Sequence, residues 1–355
     1  MNLQIKGKEE LKNLLNSWYN DICCEHLEKA ASLKKELDLR VEEIAGEEDV
    51  HTYFHLLNFR YEILLGEVSE ETLRKVDQIG EVDNKQIMFH YHLFKAVYAT
   101  NKARFNEAKV HFVKLQEIDG VINGVKEKAE VDYRLAIFYY QTYQPFASIK
   151  HVMQAEKVFQ SFSGNEVLLA SCENIYGLCS STIGKFGQAE VYFLSALDKA
   201  KKVNSERWER KIKHNLGLLY ADQGNPELAV KYLSDSLRDN LKTVFLLARE
   251  HYKMGHREEV NQLILKGYEL CNEEYRHHFN ILKELNEPVS LENLENIIKE
   301  GISYFEKEEL WKYVVDYLEV MAVQLHDAGN AVLASEYFYN SYQTKKKTEN
   351  KGVLK

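Results

Sequence analysis

Six stretches of the chain superimpose in sixteen-residue blocks, each with a small or aliphatic residue followed three or four positions later by an aromatic or aliphatic one. They are LFKAVYATNKARFNEA (93–108), YRLAIFYYQTYQPFAS (133–148), NIYGLCSSTIGKFGQA (174–189), HNLGLLYADQGNPELA (214–229), FLLAREHYKMGHREEV (245–260) and EVMAVQLHDAGNAVLA (319–334). Their starts lie 40, 41, 40, 31 and 74 residues apart, the last interval crossing a degenerate copy near Ile297. Self-similarity at such a period marks stacked helical units, none of which can bury its apolar face alone. The expected fold class is all-α.

The fourth block carries Gly217, Tyr220, Gly224 and Ala229. It resembles the tetratricopeptide repeat: a small residue where two helices cross, an aromatic one turn later, a turn glycine, then alanine in the second helix. The usual period is about 34 residues, so the longer spacings predict lengthened helices. Residues 81–345 are expected to form about seven helix pairs in a right-handed superhelical solenoid, whose concave groove suits a peptide or protein partner. Residues 346–355 read as a charged tail.

Composition supports long helices. The chain has 355 residues, 45% of them hydrophobic, and only three prolines, Pro145, Pro226 and Pro288. Proline inside a helix costs about 3 kcal/mol, so their scarcity matters. The net charge of −9 argues against a broad phosphate-binding surface. No apolar run approaches the roughly 18–20 residues that span a bilayer, and MNLQIKGKEELKN lacks a signal-peptide core. No membrane role is expected, and the expected location is the cytoplasm. The five cysteines, Cys23, Cys24, Cys172, Cys179 and Cys271, have no repeated spacing and read as reduced thiols. Cys172 and Cys179 fall on one helical face, as small apolar fillers do.

Residues 1–80 lack the repeat. Leu11, Leu14, Leu15 and Trp18 are apolar at helical spacing, Leu27 to Ile44 forms a second periodic stretch and Val50 to Leu65 a third. Gly46, Gly66 and Gly80 punctuate them. A three-helix bundle is the expected packing. The acidic Glu42, Glu43, Glu47, Glu48 and Asp49, which join Leu27–Arg40 to Val50–Leu65, would repel phosphates, so no DNA partner is expected.

The segment LLNSWYNDI (14–22), the acidic turn GEEDV (46–50) and the helix TYFHLLNFRYEIL (52–64), set ahead of long tetratricopeptide-like repeats, resemble the Rap proteins of Bacillus. The resemblance covers essentially the whole chain, with Trp18-Tyr19 and Tyr53 to Tyr61 as its most specific pieces. It implies an N-terminal bundle that binds a bacterial response regulator and a repeat domain inhibited by a short re-imported Phr peptide. By this resemblance Glu47, Asp49, Phe54 and Asn58 are candidate partner-binding residues, Phe54 and Asn58 on an exposed face. Some members dephosphorylate a response regulator and others sequester one without chemistry.

The resemblance puts Glu48 where phosphatase members carry a glutamine thought to orient water against the aspartyl phosphate. An amide donates and accepts, so it can hold a water beside a dianion; a carboxylate only accepts and repels. Like charges about 4 Å apart cost about 4 kcal/mol at an effective dielectric near 20. Glu48 is thus the catalytic candidate and also the reason to expect sequestration over hydrolysis. As a first-turn helix residue it also favours the dipole with no further role.

For the peptide, the resemblance matches Asn215 to an asparagine that bonds the bound peptide's main chain, as an amide suits. A family aspartate and glutamate that hold a basic peptide residue fall at Thr182 and His278, both without negative charge. Asp222, at the end of the same block as Asn215, completes the peptide-binding candidates.

His51/His55, His90/His92 and His277/His278 are paired, but no HExxH pattern or carboxylate at ligand spacing completes a metal site. No cofactor motif is present. Two function classes follow: a peptide-regulated response-regulator antagonist, or a generic tetratricopeptide adaptor whose N-terminal helices only cap the stack.

Overall fold

In a computed structural model, residues 9–80, 82–118, 124–162, 164–236 and 240–349 are described. All regular structure among them is helical. Ahead of the repeats lie α1 (Glu9–Cys23), α2 (Leu27–Asp38), α3 (Val41–Ala45), α4 (Glu48–Leu65) and α5 (Glu70–Asp77). Then come consecutive pairs: α6 (Lys85–Asn101) with α7 (Phe105–Ile118), α8 (Val125–Gln141) with α9 (Pro145–Phe159), and α10 (Glu166–Thr182) with α11 (Phe186–Lys202). α12 (Glu206–Asp222) precedes α13 (Pro226–Ser234), and α14 (Leu241–Lys253) precedes α15 (Arg257–Leu270). The last four are α16 (Glu273–Asn286), α17 (Leu291–Lys307), α18 (Trp311–Asp327) and α19 (Ala331–Glu349). No described helix is long and apolar enough to cross a membrane. Two compact units divide after Trp208.

In the first unit the three expected N-terminal helices are present with two differences. The stretch from Leu27 to Ile44 breaks at Arg40, the N-cap of α3, where Leu39 is left 88% exposed. An additional helix, α5, starts at Ser69, whose side chain accepts the amide of Thr72 at 3.1 Å and so satisfies one of the unpaired N–H groups of a first turn. One apolar core runs unbroken from Leu11 on α1 to Phe138 on α8, so the expected boundary at residue 80 does not coincide with a break in packing. Trp18 is fully buried, with its ring centroid 5.9 Å from that of Phe54 and 5.8 Å from that of Tyr61.

Polar contacts bind the same unit over long sequence distances. The Tyr19 hydroxyl donates to Glu130 at 2.5 Å and the Cys23 thiol at 3.0 Å. Arg134 reaches the same carboxylate at 3.4 Å and Arg60 at 3.7 Å. Cys24, the neighbouring thiol, turns instead to Asn165 at 3.6 Å. Trp208 Nε1 donates to Glu25 at 2.9 Å.

The repeat blocks mark the turns between paired helices. A Cβ on Gly217 would come within 2.5 Å of Leu233 Cγ, and one on Gly177 within 2.5 Å of Phe193 Cε1; these are the crossing points at which only a small residue lets the helices close. The turns use a left-handed residue, Gly224 (φ 70°) between α12 and α13, but Ala103 (φ 56°) and Tyr143 (φ 57°) serve at the corresponding places between α6 and α7 and between α8 and α9. Pro145 and Pro226 each sit in the first turn of a second helix, where a missing N–H costs nothing. Cys172 and Cys179 are fully buried free thiols in the apolar core. α19 continues through four residues assigned to the tail and ends at Glu349; residues 350–355 lie outside the described residues.

Candidate functional site

The start of α4 gathers the acidic candidates. Glu47 is its N-cap in extended conformation, without a side-chain capping bond, and Glu48 and Asp49 occupy its first turn, where negative charge meets the positive helix end. Glu48 is exposed and Asp49 half-buried, Asp49 accepting Asn84 Nδ2 at 3.1 Å.

Glu48 borders an open cavity of about 620 Å³ in the first unit. His51, His55, Lys75 and Gln78 share its wall, with Ile44, Phe54 and Ile79 as apolar surface. The two imidazoles lie with their Nε2 atoms 3.0 Å apart. Burial, then the neighbouring His51 and Lys75, push His55 down to about 4, so that ring is neutral at physiological pH. Lys75 is paired with Glu71 at 2.7 Å.

Phe54 and Asn58 do not form the exposed face expected of them. Phe54 is only 6% exposed, held between Trp18 and the Lys34 ammonium, which sits 5.5 Å from its ring centroid. An aromatic at that point of the helical period faces α1 and α2, and burying it is worth about 1.5–3 kcal/mol. Asn58 is half-buried and donates to Glu62 at 2.8 Å and Thr72 at 3.2 Å. It stands ten residues, roughly 15 Å, along the helix from Glu48.

The peptide candidates separate. Thr182 ends α10 in the first unit, exposed, its hydroxyl donating back to Leu178 O at 2.9 Å. Asn215, Asp222 and His278 belong to the second unit. Asn215 lies on α12 and is 9% exposed, while Asp222 ends that helix in solvent. His278 is fully buried, and this corrects its assignment to a groove surface. Its Nδ1 lies 2.6 Å from the Tyr317 hydroxyl, and its ring packs among Phe245, Phe305 and Tyr313 at centroid distances of 4.9, 4.7 and 4.4 Å. Burial first, then His277 and Arg249, push it down to about 3. A neutral imidazole in an aromatic box is core.

Gln78 and Lys75 escaped the sequence reading because α5 did. The signal was present: Ser69 followed by two acids, then Leu73 and Val76 at helical spacing. Among the described residues no group of three or more His, Cys, Asp or Glu is placed to hold a metal.

A family model described as "response regulator aspartate phosphatase H, N terminal" matches residues 5–66. Response regulator aspartate phosphatase I of Bacillus subtilis is 23% identical over 96% of this chain and 92% of its own length. Transcriptional activator NprA of Geobacillus stearothermophilus is 24% identical over 96% of this chain and 89% of its own. The crystal structure of a Rap protein complexed with competence and sporulation factor aligns with a TM-score of 0.75 at 20% identity, covering 96% of this chain and 99% of the other; it has the same helical fold. Over its first helices this chain is similar to the N-terminal family model, and over nearly its whole length it is similar to the Rap proteins.

Proposed function

We propose that this chain is a peptide-regulated antagonist of a bacterial response regulator, acting by sequestration in the cytoplasm. The N-terminal helices hold the response regulator at the acidic start of α4, and the repeats take a short oligopeptide. The names of similar proteins support both halves: one is a response regulator aspartate phosphatase, a Rap protein is seen complexed with competence and sporulation factor, and a Rap conjugation gene regulator is seen with the Phr* peptide. The observation that carries sequestration over hydrolysis is Glu48, exposed at the rim of the α4 cavity. A carboxylate there accepts hydrogen bonds only, and it repels a phosphoryl dianion that an amide would tolerate.

Surface plasmon resonance of the full chain against a panel of phosphorylated receiver domains tests binding, and phosphate release from the same complexes tests chemistry. Tight binding with slow turnover, and faster turnover in Glu48→Gln, is the expected result. Absence of binding to every receiver domain sinks the reading and leaves the generic adaptor.

Gln78 supports a second reading. It is an amide in the same cavity as Glu48, able to hold a water by donating and accepting. If the wild type does hydrolyse the aspartyl phosphate, Gln78→Ala removes that turnover while Glu48→Gln leaves it unchanged.

For the peptide, Asn215 and Asp222 remain the candidates in the second unit and Thr182 in the first. Asn215→Ala is expected to weaken a cognate peptide by roughly 5- to 150-fold, the equivalent of about 1–3 kcal/mol for peptide groups left unsatisfied.

A further inference from the structure

The first unit contains a second cavity, of about 230 Å³, between α1, α6, α8 and the turn from α9 to α10. At roughly 30 Å³ per water it has room for about eight waters, the size of one bulky residue and too small for a whole peptide. Tyr133, Phe159 and Leu168 supply apolar walls, all three buried.

Its charged groups are unevenly committed. Lys126 and Arg134 face Glu127 and Glu130 in the lining, two against two. Arg60, 2% exposed, forms an ion pair with Glu130 at 3.7 Å and tips the balance to one positive charge. Glu130 already accepts Tyr19, Cys23 and Arg134. The Glu127 carboxylate folds back over Gly124 at the N-terminus of α8, where the helix end draws it. Glu25, the next carboxylate, is held by Trp208 and Arg207. Two guanidiniums thus share one carboxylate, and the Nε atoms of both Arg60 and Arg134 are buried without a partner. Buried positive charge in excess of its counter-charge is costly. A carboxylate is the group that would offset it.

Neutral donors stand beside it. Asn16 and Asn20 lie four residues apart on one face of α1, and both line the cavity.

We propose that this cavity binds a carboxylate carried on one bulky apolar group, with Arg134 and Lys126 as its cationic ligands and the amides of Asn16 and Asn20 as additional donors. The carboxylate is either that of a small organic acid or the C-terminus of a peptide, in which case this site is one part of the peptide recognition proposed above. The first source does not depend on that reading, and the second does.

Four probes separate the cases by calorimetry on the full-length protein: N-acetyl-phenylalanine, its amide, a pentapeptide ending in free phenylalanine, and the same pentapeptide amidated. At least one free acid binds, and its amide binds tenfold or more weakly. Binding of the acetyl amino acid identifies an organic-acid site, and binding of the pentapeptide acid alone identifies a peptide C-terminus. Arg134→Gln abolishes the preference for the acid. Lys126→Gln, on an exposed side chain, weakens the acid severalfold with the fold intact, and it decides the matter if Arg134→Gln does not fold. No binding by any probe, equal binding of acid and amide, or an acid preference untouched in both folded variants overturns the proposal. A pentapeptide that binds equally as acid and amide, without response to Arg134→Gln or Lys126→Gln, leaves the peptide reading standing and removes this site from it.

Discussion

Tyr19 on α1 and Glu130 on α8, 111 positions apart in sequence, meet in a 2.5 Å hydrogen bond that joins the N-terminal helices to the second helix pair. Glu130 is 6% exposed. Burial pushes its carboxyl up, but Arg134, Arg60 and the Tyr19 and Cys23 bonds outweigh this and hold it below the usual carboxylate value. A depressed folded-state value means that the stabilisation is fully present above the unfolded-state value near 4.5 and is lost as pH falls through the folded-state one. Glu130→Ala strands two buried guanidiniums and is expected to cost about 3–5 kcal/mol. Urea denaturation from pH 7 to pH 3 checks both points: the variant starts less stable and loses less below pH 4.5 on account of this site.

His278 gives a second pH dependence in a higher window. Its folded-state value near 3 lies below the unfolded value of 6.5, so the unfolded chain takes up a proton that the folded one refuses. Stability is complete above pH 6.5 and declines as pH falls toward 3. His278→Phe leaves the Tyr317 hydroxyl without its 2.6 Å partner, at about 1–3 kcal/mol. Thermal melts between pH 7 and pH 5 are expected to show a shallower decline in that variant. His55, His90 and His214, each pushed to about 4 chiefly by burial, and His111 and His251, lowered by the same cause, supply the decline that remains.

Tyr143 holds φ 57° where the turn between α12 and α13 has glycine. The left-handed region costs a side chain about 1–2 kcal/mol, partly offset because glycine loses about 0.5–1 kcal/mol more chain entropy on folding. Tyr143 is 66% exposed, so little packing is lost. Tyr143→Gly is expected to raise stability by about 0.5–1 kcal/mol, read as a higher urea midpoint at unchanged slope.

Gly217→Ala is the converse experiment. The added Cβ would lie 2.5 Å from Leu233 Cγ and 3.3 Å from the Ala229 carbonyl oxygen, a backbone atom. Overpacking of this kind costs about 1–3 kcal/mol. Gly217→Ala combined with Leu233→Ala should lose less than the sum of the two single changes, and a strictly additive pair would show that the helices have room to part.

Much of the fold was legible because its signals are periodic. The blocks with Gly217 and Gly224 announce a crossing and a turn, and the structure puts them there. What periodicity cannot give is which neighbour a face meets. Phe54 and His278 read as surface from their place in a resemblance, yet Trp18 with Lys34, and Phe305 with Tyr317, cover them from 36 and 39 residues away or less. Glu130 gave no sequence signal at all, since its partners Tyr19, Cys23 and Arg60 come from helices that only the folded chain brings together. Gln78 was missed for a local reason, a short helix read as punctuation between two glycines.

The bond from Trp208 to Glu25 spans 183 residues, and this sets a schedule for synthesis. At about 5–20 residues per second, the ribosome needs on the order of ten seconds or more after making Glu25 before its partner exists. Until then Glu25 lacks that donor, although Leu11, Leu15 and Trp18 meet their core partners on α4, among them Phe54 and Tyr61, well before residue 208 is made. A nascent chain stalled before α12 therefore has α1 packed on α4 while the turn between α1 and α2 is still untied, and pulse-labelled arrested chains should gain their last protease resistance at that turn only after residue 208 clears the exit tunnel.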